Sequence, residues 1–454
     1  MYIALTFLCY DAIKNYANSK YFLHIGVLKK SNHAVGVSII APAFNESSTI
    51  VDNVKSLMLL EYPKYEVVIV NDGSTDSSLQ KLIDEFELIK VDFFYQDKLK
   101  SHPVRGHYKS KNPVYSKLLV VDKINGKSKA DAMNVGINSC NYDIFMCTDV
   151  DCILRKDSIS LLVKPFIESK KRVIATGAAI RISNSCEFKD GMLFKSVYPK
   201  QYFPMFQELE YIRAFVFGRM AWSRINGLLL VSGGLGMFDK TLAIEAGGYW
   251  HKSLGEDMDL IIRMRKIMHE KNESFLIKYI PESLCWTEGP STKNIFIRQR
   301  VRWARGLIQT LFLHRKIFLN KNYGLTGLVS FPYFVFGEFL VPILEAIGII
   351  IIFFDILIFG INYNYFLVIT LFVYLFYVFI GLTSILIDQV LYKHYSTLKE
   401  IIKLILLVFI EPIIYHPITI YTSLKGYWQF VANKELAWGV MTRQGFLNSS
   451  EKIN

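Results

Sequence analysis

Gln299, Arg302 and Trp303 stand at i, i+3 and i+4 in the run Arg-Gln-Arg-Val-Arg-Trp at 298–303. On a helix the three share one face. That face offers an amide, a guanidinium and a flat indole side by side. A guanidinium grips phosphate through a two-pronged geometry, and an indole is a surface on which a sugar stacks while its N–H donates. The run lies shortly before the apolar third of the chain, so its chemistry suits an activated sugar consumed beside a membrane; a basic juxtamembrane helix is the competing reading. Asp149 and Asp151, in Asp-Val-Asp, place two carboxylates just past an apolar run. Such a pair, with substrate phosphates, is the usual way of holding Mg2+ or Mn2+; a plain acidic turn is the alternative. In Gly-Glu-Asp-Met-Asp at 255–259 adjacent carboxylates repel, so one can have a raised pKa and take a proton from a sugar hydroxyl, or the run simply caps a helix. Asp72 in Asn-Asp-Gly-Ser reads either as a turn or as a contact to a nucleobase. Lys129 and Asn134 are a helix start or further nucleotide contacts. Ser-Gly-Gly-Leu-Gly at 232–236 lets backbone approach a ligand closely.

The elements that must position these groups alternate in type. Val37–Ala43, Tyr65–Val70, Leu118–Asp122, Tyr142–Thr148 and Val173–Ile182 read as buried strands. Ile50–Leu60, Leu79–Phe86 and Lys129–Ser139 read as helices, the first capped by Asn45–Ser47. Alternating strands and helices predict an α/β domain with a mostly parallel sheet. Ligands of such sheets collect beyond the carboxyl ends of the strands, where Asp72, Asp149 and Asp151 fall. Residues 97–117, with six lysines and arginines and two prolines, are expected to be a long basic loop.

The composition sets the surroundings. The 454 residues are 52% hydrophobic with a net charge of +12. The apolar excess is concentrated in 326–424, so the charge points to an anionic membrane surface or anionic substrates and away from nucleic acid. Gly306–Leu319 is expected to be an amphipathic helix at the membrane surface. Spanning candidates are Val341–Gly360, Tyr365–Ile387 and Ile401–Leu424. Glu411, Pro412, His416 and Pro417 interrupt the third, which spans, re-enters or lines a pore. Six cysteines without a C-x-x-C pair read as reduced thiols of a cytosolic domain. Residues 1–10 are apolar without a basic leader, either a short amphipathic anchor or the end of a truncated membrane helix. The expected division is 1–30, 31–310, 311–424 and 425–454.

Ala-Pro-Ala-Phe-Asn-Glu at 41–46, Asn-Asp-Gly-Ser at 71–74, Gly-Lys-Ser-Lys-Ala-Asp-Ala-Met-Asn at 126–134, Asp-Val-Asp, Ser-Gly-Gly, Gly-Glu-Asp and Gln-Arg-Val-Arg-Trp occur in that order. Together they resemble the membrane-bound family 2 glycosyltransferases, which include cellulose, chitin, hyaluronan and poly-N-acetylglucosamine synthases. The resemblance covers about 36–310 and the helices after it. It implies a GT-A catalytic domain on the cytosolic face of a multi-pass plasma-membrane protein, with a lipid bilayer around it. Asp72 would bind the uridine of a UDP-sugar, with Pro42, Glu46 and Lys129 nearby. Asp149 would face the diphosphate and Asp151 would ligate Mg2+ or Mn2+. Asp257 would be the base of a single inverting displacement. Gln299 and Arg302 would hold pyrophosphate, and Trp303 would stack the saccharide acceptor. The implied product is a polysaccharide made from a UDP-sugar, N-acetylglucosamine by overall resemblance, with an accessory membrane subunit as a further partner. Transfer of one sugar to a lipid carrier, and an inactive transport or scaffold subunit, are the alternatives. Trp438-Gly439 with Arg443 resembles the gating segment of hyaluronan-type synthases, or forms a plain tail. Family members carry one or two spans before the catalytic domain, where this chain has at most a fragment.

Overall fold

The β-branched and apolar runs of the first 290 residues fold into one ten-stranded mixed sheet. The computed structural model describes residues 2–19, 26, 33–189, 192–360, 362–395 and 397–434; Trp438, Gly439 and Arg443 lie outside them. The strands are β1 (Val37–Ala43), β2 (Tyr65–Asn71), β3 (Leu88–Val91), β4 (Val104–Ser110), β5 (Leu118–Lys123), β6 (Ile144–Thr148), β7 (Ile153–Leu154), β8 (Arg172–Ile182), the hairpin β9 (Glu187–Lys189) and β10 (Met192–Lys195), β11 (Leu235–Asp239) and β12 (Phe275–Thr287). Their order is β3-β4-β5-β2-β1-β6-β11-β8-β12-β7, with β9 and β10 apart. β5, β2, β1 and β6 run parallel, as do β8 and β12; β11 is antiparallel to both its neighbours. β1, β2 and β5 are buried on both faces almost throughout, as expected for strands covered by crossover helices.

The helices are α1 (Tyr2–Ser19), α2 (Ile50–Met58), α3 (Ser78–Glu85), α4 (Lys129–Ser139), α5 (Ser158–Glu168), α6 (Tyr202–Tyr211), α7 (Arg219–Arg224), α8 (Lys240–Glu245), α9 (Glu256–Glu270) and α10 (Lys293–Leu313). α11 (Thr326–Ile358), α12 (Tyr363–Tyr392) and α13 (Leu398–Val431) are long and apolar enough to cross a membrane. A π-helical stretch, Ile212–Gly218, joins α6 to α7. The six cysteines are free.

Three expectations are revised. Residues 97–117 are not a plain loop: β4 lies between β3 and β5, antiparallel to both, with Gly106 and His107 buried and Arg105 and Lys109 exposed. Only Arg105 and Lys109 of the basic residues lie in β4, and the other four lie in the segments flanking it. Gly306–Leu319 is not a separate helix. Its first part, 306–313, continues Gln299–Trp303 within α10, which ends at Leu313, and Arg315–Ile317 is a 3-10 turn. α13 is one 34-residue helix despite Pro412 and Pro417; prolines are accommodated in apolar helices where neighbouring groups satisfy the freed backbone.

α13 lies along the sheet domain rather than leaving it. Near one end Glu400 accepts from the Tyr198 N–H at 3.1 Å. Just past the other, the Lys434 carbonyl accepts from Arg305. Between them Glu411 pairs with Arg213 at 2.7 and 2.9 Å, and the Tyr415 hydroxyl meets Arg300 at 3.1 Å. α12 is tied down by a buried pair between Asp388 and Arg181. α1 turns Leu5, Cys9 and Ala12 into the main core, and its Tyr16 hydroxyl donates to Glu282 at 3.0 Å.

Candidate active site

β1, β2, β5 and β6 all end on one edge of the sheet, Ala43 beside Asn71 and Asn71 beside Asp122. The residues that follow them therefore line one cleft edge. Asp72 follows β2 and is 7% exposed. Its Oδ1 accepts from Lys123 Nζ at 2.5 Å and from the Gly126 N–H at 3.0 Å. Lys123, the last residue of β5, has no exposed surface and also meets Asp131 Oδ2 at 2.6 Å. One ammonium thus neutralises two carboxylates and orients Asp72. The sequence reading missed Lys123; its place at the end of the strand beside β2 was the signal that could have found it. Pro42, near the end of β1, and Glu46, on the loop that follows β1, are half-buried. That loop is stitched to 74–78 by the Asn45 side chain and by the Glu46 N–H, which donates to Ser78 Oγ at 3.0 Å. Asn134 turns away from the cleft, its amide paired with the Tyr249 backbone at 2.8 Å.

Asp149 and Asp151 follow β6. Together with Cys152 they place a possible ligand atom each within 4.8 Å of one another. The two carboxylates suit a hard cation such as Mg2+ or Mn2+. The thiol does not: sulfur is a soft donor and a poor match for a hard cation, and a neighbouring thiol, Cys285, and burial raise its pKa well above the ordinary value. Lys129, at the first turn of α4, pairs with Asp149 and donates to the Gly233 carbonyl at 3.1 Å. Burial works to lower its pKa, but Asp149, Asp257 and Glu256 outweigh that and keep it charged.

Asp257 reaches the same place from α9. Its Oδ2 accepts from the Gly233 N–H at 2.7 Å, and a β-carbon at residue 233 would lie 2.5 Å from Oδ1. Only glycine allows this approach. Burial raises the Asp257 pKa, opposed by Lys129 and Gly233 and assisted by Asp149. Burial and then Asp257 push Glu256 up to about 7. The pair titrates together, above the ordinary carboxylate range.

α10 brings up the remaining residues. Gly306 lies so close to Leu254 and Gly255 that a β-carbon would meet backbone at 2.8 Å, which seats α10 against the start of α9. Arg302 is near enough for its charge to act on both Glu256 and Asp257. Gln299 accepts from Gln207 Nε2 at 3.3 Å. Trp303 is half-buried, with the Arg300 guanidinium 4.5 Å from its ring centre. Arg300 itself points elsewhere, to Glu210 and Tyr415. The structure thus gathers Lys129, Asp149, Asp151, Asp257 and Arg302 around Gly233, with Asp72 farther along the same sheet edge.

Residues 38–226 match the profile of Glycosyl transferase family 2, and residues 193–381 that of Glycosyl transferase family group 2. The chain carries a family 2 glycosyltransferase domain. Among curated relatives is the poly-beta-1,6-N-acetyl-D-glucosamine synthase of Staphylococcus epidermidis. It is 29% identical over 283 residues, 62% of this chain and 57% of the relative. The Staphylococcus aureus protein of the same name is 28% identical over 272 residues, 60% of this chain and 54% of the relative. The chain thus spans under two thirds of these relatives' length. Among solved structures, a mannosyltransferase from Pyrobaculum calidifontis in complex with GDP-Man and Mn2+ superposes with a TM-score of 0.51 at 15% identity, covering 96% of this chain and 99% of that one. The shared fold of the family 2 domain is GT-A.

Proposed function

We propose that this protein moves a sugar from a UDP-sugar to a growing saccharide, N-acetylglucosamine being the sugar, by a single inverting displacement. The observation that carries the reading is the meeting of the Asp257 carboxylate with Asp149, Asp151 and Lys129 across Gly233. A base is thereby set opposite an anion-binding and cation-binding corner. The donor and polymer are suggested by the two staphylococcal synthases, and the metal by the Mn2+ of the mannosyltransferase.

In this reading Asp72, held by Lys123, binds the uracil edge, with Pro42 and Glu46 closing the base site. Asp149 and Lys129 face the diphosphate. Asp151, with Asp149, would hold Mg2+ or Mn2+, which when bound neutralises charge on the diphosphate. Gln299 and Arg302 border the pyrophosphate, and Trp303 stacks the acceptor sugar. Asp257 takes the proton of the acceptor hydroxyl as its oxygen bonds to the anomeric carbon. The anomeric carbon–phosphate oxygen bond breaks on the opposite face, and UDP departs beside Arg302 and Lys129. The raised pKa of Asp257 makes it a stronger base than an exposed carboxylate.

α11 and α12 would cross the bilayer as a hairpin from a catalytic domain on the cytosolic face. α13, touching the domain along its length, would lie at the membrane surface and return the tail to the domain's side.

The test uses membranes containing the full chain, labelled UDP-N-acetylglucosamine, and Mg2+ or Mn2+, with the product sized. The expected result is a high-molecular-weight product that disappears with EDTA and in Asp257→Asn. Transfer undiminished in Asp257→Asn would remove the base assignment, and a single-sugar lipid product would remove the polymer reading.

A further inference from the structure

Two cysteines from separate segments stand beside the aspartates that follow β6. Cys152 immediately precedes β7, and Cys285 opposes Leu154 where β7 pairs antiparallel with β12. Cys152 is therefore diagonal to Cys285 on one face of this pair, and the two thiols are within hydrogen-bond reach. Cys152 Sγ also lies within 4.8 Å of a carboxylate oxygen of Asp149 and of one of Asp151. Lys129 occupies Asp149 Oδ1. Asp149 Oδ2 is turned toward Gly234: it and Cys152 Sγ stand 3.8 and 3.7 Å from the place a β-carbon of residue 234 would take. The Cys285 thiol reaches the Gly234 carbonyl at 3.7 Å. Glycine at 234 thus leaves a gap between a sulfur and a carboxylate oxygen, with Cys285 and Asp151 adjoining. Asp149 is only half-buried, which gives the gap a way in from solvent.

The transfer chemistry makes no use of these thiols. Sulfur is a poor donor to Mg2+ or Mn2+, whereas thiolates select softer ions such as Zn2+. Two thiolates and two carboxylates make up the four ligands of a tetrahedral zinc ion. Sulfurs each about 2.3 Å from zinc stand about 3.8 Å apart at the tetrahedral angle, which suits two thiols already in hydrogen-bond reach. A disulfide suits them less. Diagonal neighbours on an antiparallel pair are about 7–8 Å apart, and Cα atoms more than about 7 Å apart are not bridged without backbone movement.

We propose that Cys152 and Cys285, with Asp149 and Asp151, form a binding site for a soft divalent cation of the zinc class. It differs from the hard-cation corner in its sulfur donors and shares its two carboxylates. The ion would replace both thiol protons, which pass to solvent. Occupancy by the soft ion and by Mg2+ or Mn2+ is mutually exclusive, so the soft ion halts transfer. The binding stands by itself; the inhibition rests on the transfer reading above.

Cadmium is the probe, because Cd2+–thiolate bonds give an ultraviolet charge-transfer band. The detergent-purified full chain is titrated with Cd2+ alone and then with Zn2+ in competition, beside a UDP titration that reports an intact fold. The expected band saturates at one ion per chain, is abolished by Zn2+, and is missing from the Cys152→Ala/Cys285→Ala variant. Asp149→Asn should weaken the Cd2+ affinity by about tenfold or more, since even partners outside the ligand set are worth about 10–100-fold. Zn2+ should stop sugar transfer in the unsubstituted chain at concentrations about 100-fold below those needed in Cys152→Ala. If the double variant loses UDP affinity, Cys152→Ser, which keeps the side-chain volume, takes its place in both comparisons. No band, a band of full size without the two thiols, a band indifferent to Asp149→Asn, or equal zinc sensitivity with and without the Cys152 thiol would each overturn the site. A band with these dependences in a chain that transfers no sugar would keep the site and remove the transfer reading.

Discussion

Gly233→Ala isolates how the base is placed. The new β-carbon would sit 2.5, 2.7 and 2.9 Å from Asp257 Oδ1, Oδ2 and Cγ. Ordinary carbon contacts begin near 3.5 Å, so the carboxylate must retreat by about 1 Å. Residue 233 is not in the left-handed region, so the backbone accepts alanine. The Asp257 side chain is short and can turn, so the fold accommodates the change, at about 1 kcal/mol for the weakened Gly233 hydrogen bond. Catalysis does not accommodate it. A 1 Å misplacement of a catalytic group costs about 100-fold, or about 2.7 kcal/mol of barrier. The assay is UDP release by the purified full chain with UDP-N-acetylglucosamine and Mg2+, alongside a UDP titration and a thermal melt. The expected outcome is a kcat lowered about 100-fold with UDP affinity and Tm nearly unchanged. Full kcat in Gly233→Ala, beside an inactive Asp257→Asn, would show that the Gly233 contact does not set the position of the base.

Two further outcomes follow from charge. Glu256 holds its proton up to about pH 7 when folded, against an ordinary value of 4.5; the folded chain therefore binds the extra proton, and the associated stability, present below 4.5, is lost as pH rises through 7. Glu256→Gln should thus gain Tm relative to the unsubstituted chain as pH rises from about 5 to 8 and move the acid limb of activity downward; a Tm difference constant with pH would contradict this. Lys123→Met leaves Asp72 and Asp131 without their shared buried cation and should lower the urea midpoint by the equivalent of about 3–5 kcal/mol, whereas a loss under 1 kcal/mol would mean that the two carboxylates are not held by it.

The sheet was legible because its strands are short apolar runs closed by turn residues, and periodicity reports that directly. β1 and α4 match their expected bounds. The strand ends also put Asp72, Asp149 and Asp151 on one edge, since parallel strands deliver their following residues there. What stayed hidden depends on distant partners. Lys123 looks like an ordinary strand-end lysine until β5 is laid beside β2. The contact of Gly233 with Asp257 joins segments 24 residues apart. The basic residues in and around β4 imitate a solvated loop. The prolines of α13 suggest a break that its packing against α6 and α10 overrides.

Three arginines of the catalytic domain find partners in the apolar helices: Arg181 with Asp388, Arg213 with Glu411 and Arg300 with Tyr415. Asp388 and Glu411 are almost wholly shielded from solvent. Gly426 of α13 packs so tightly on α10 that a β-carbon would meet the Val301 carbonyl at 2.8 Å. The apolar helices are therefore not an anchor hung on a self-sufficient enzyme. A water-soluble fragment ending before Thr326 would take Glu411 from Arg213, leave Arg181 with Glu208 alone and Arg300 with Glu210 alone, and bare the flank of the helix that bears Arg302 and Trp303. The apolar helices and the sheet domain fold as one unit, and any preparation that keeps the candidate site in register must keep the apolar third of the chain as well.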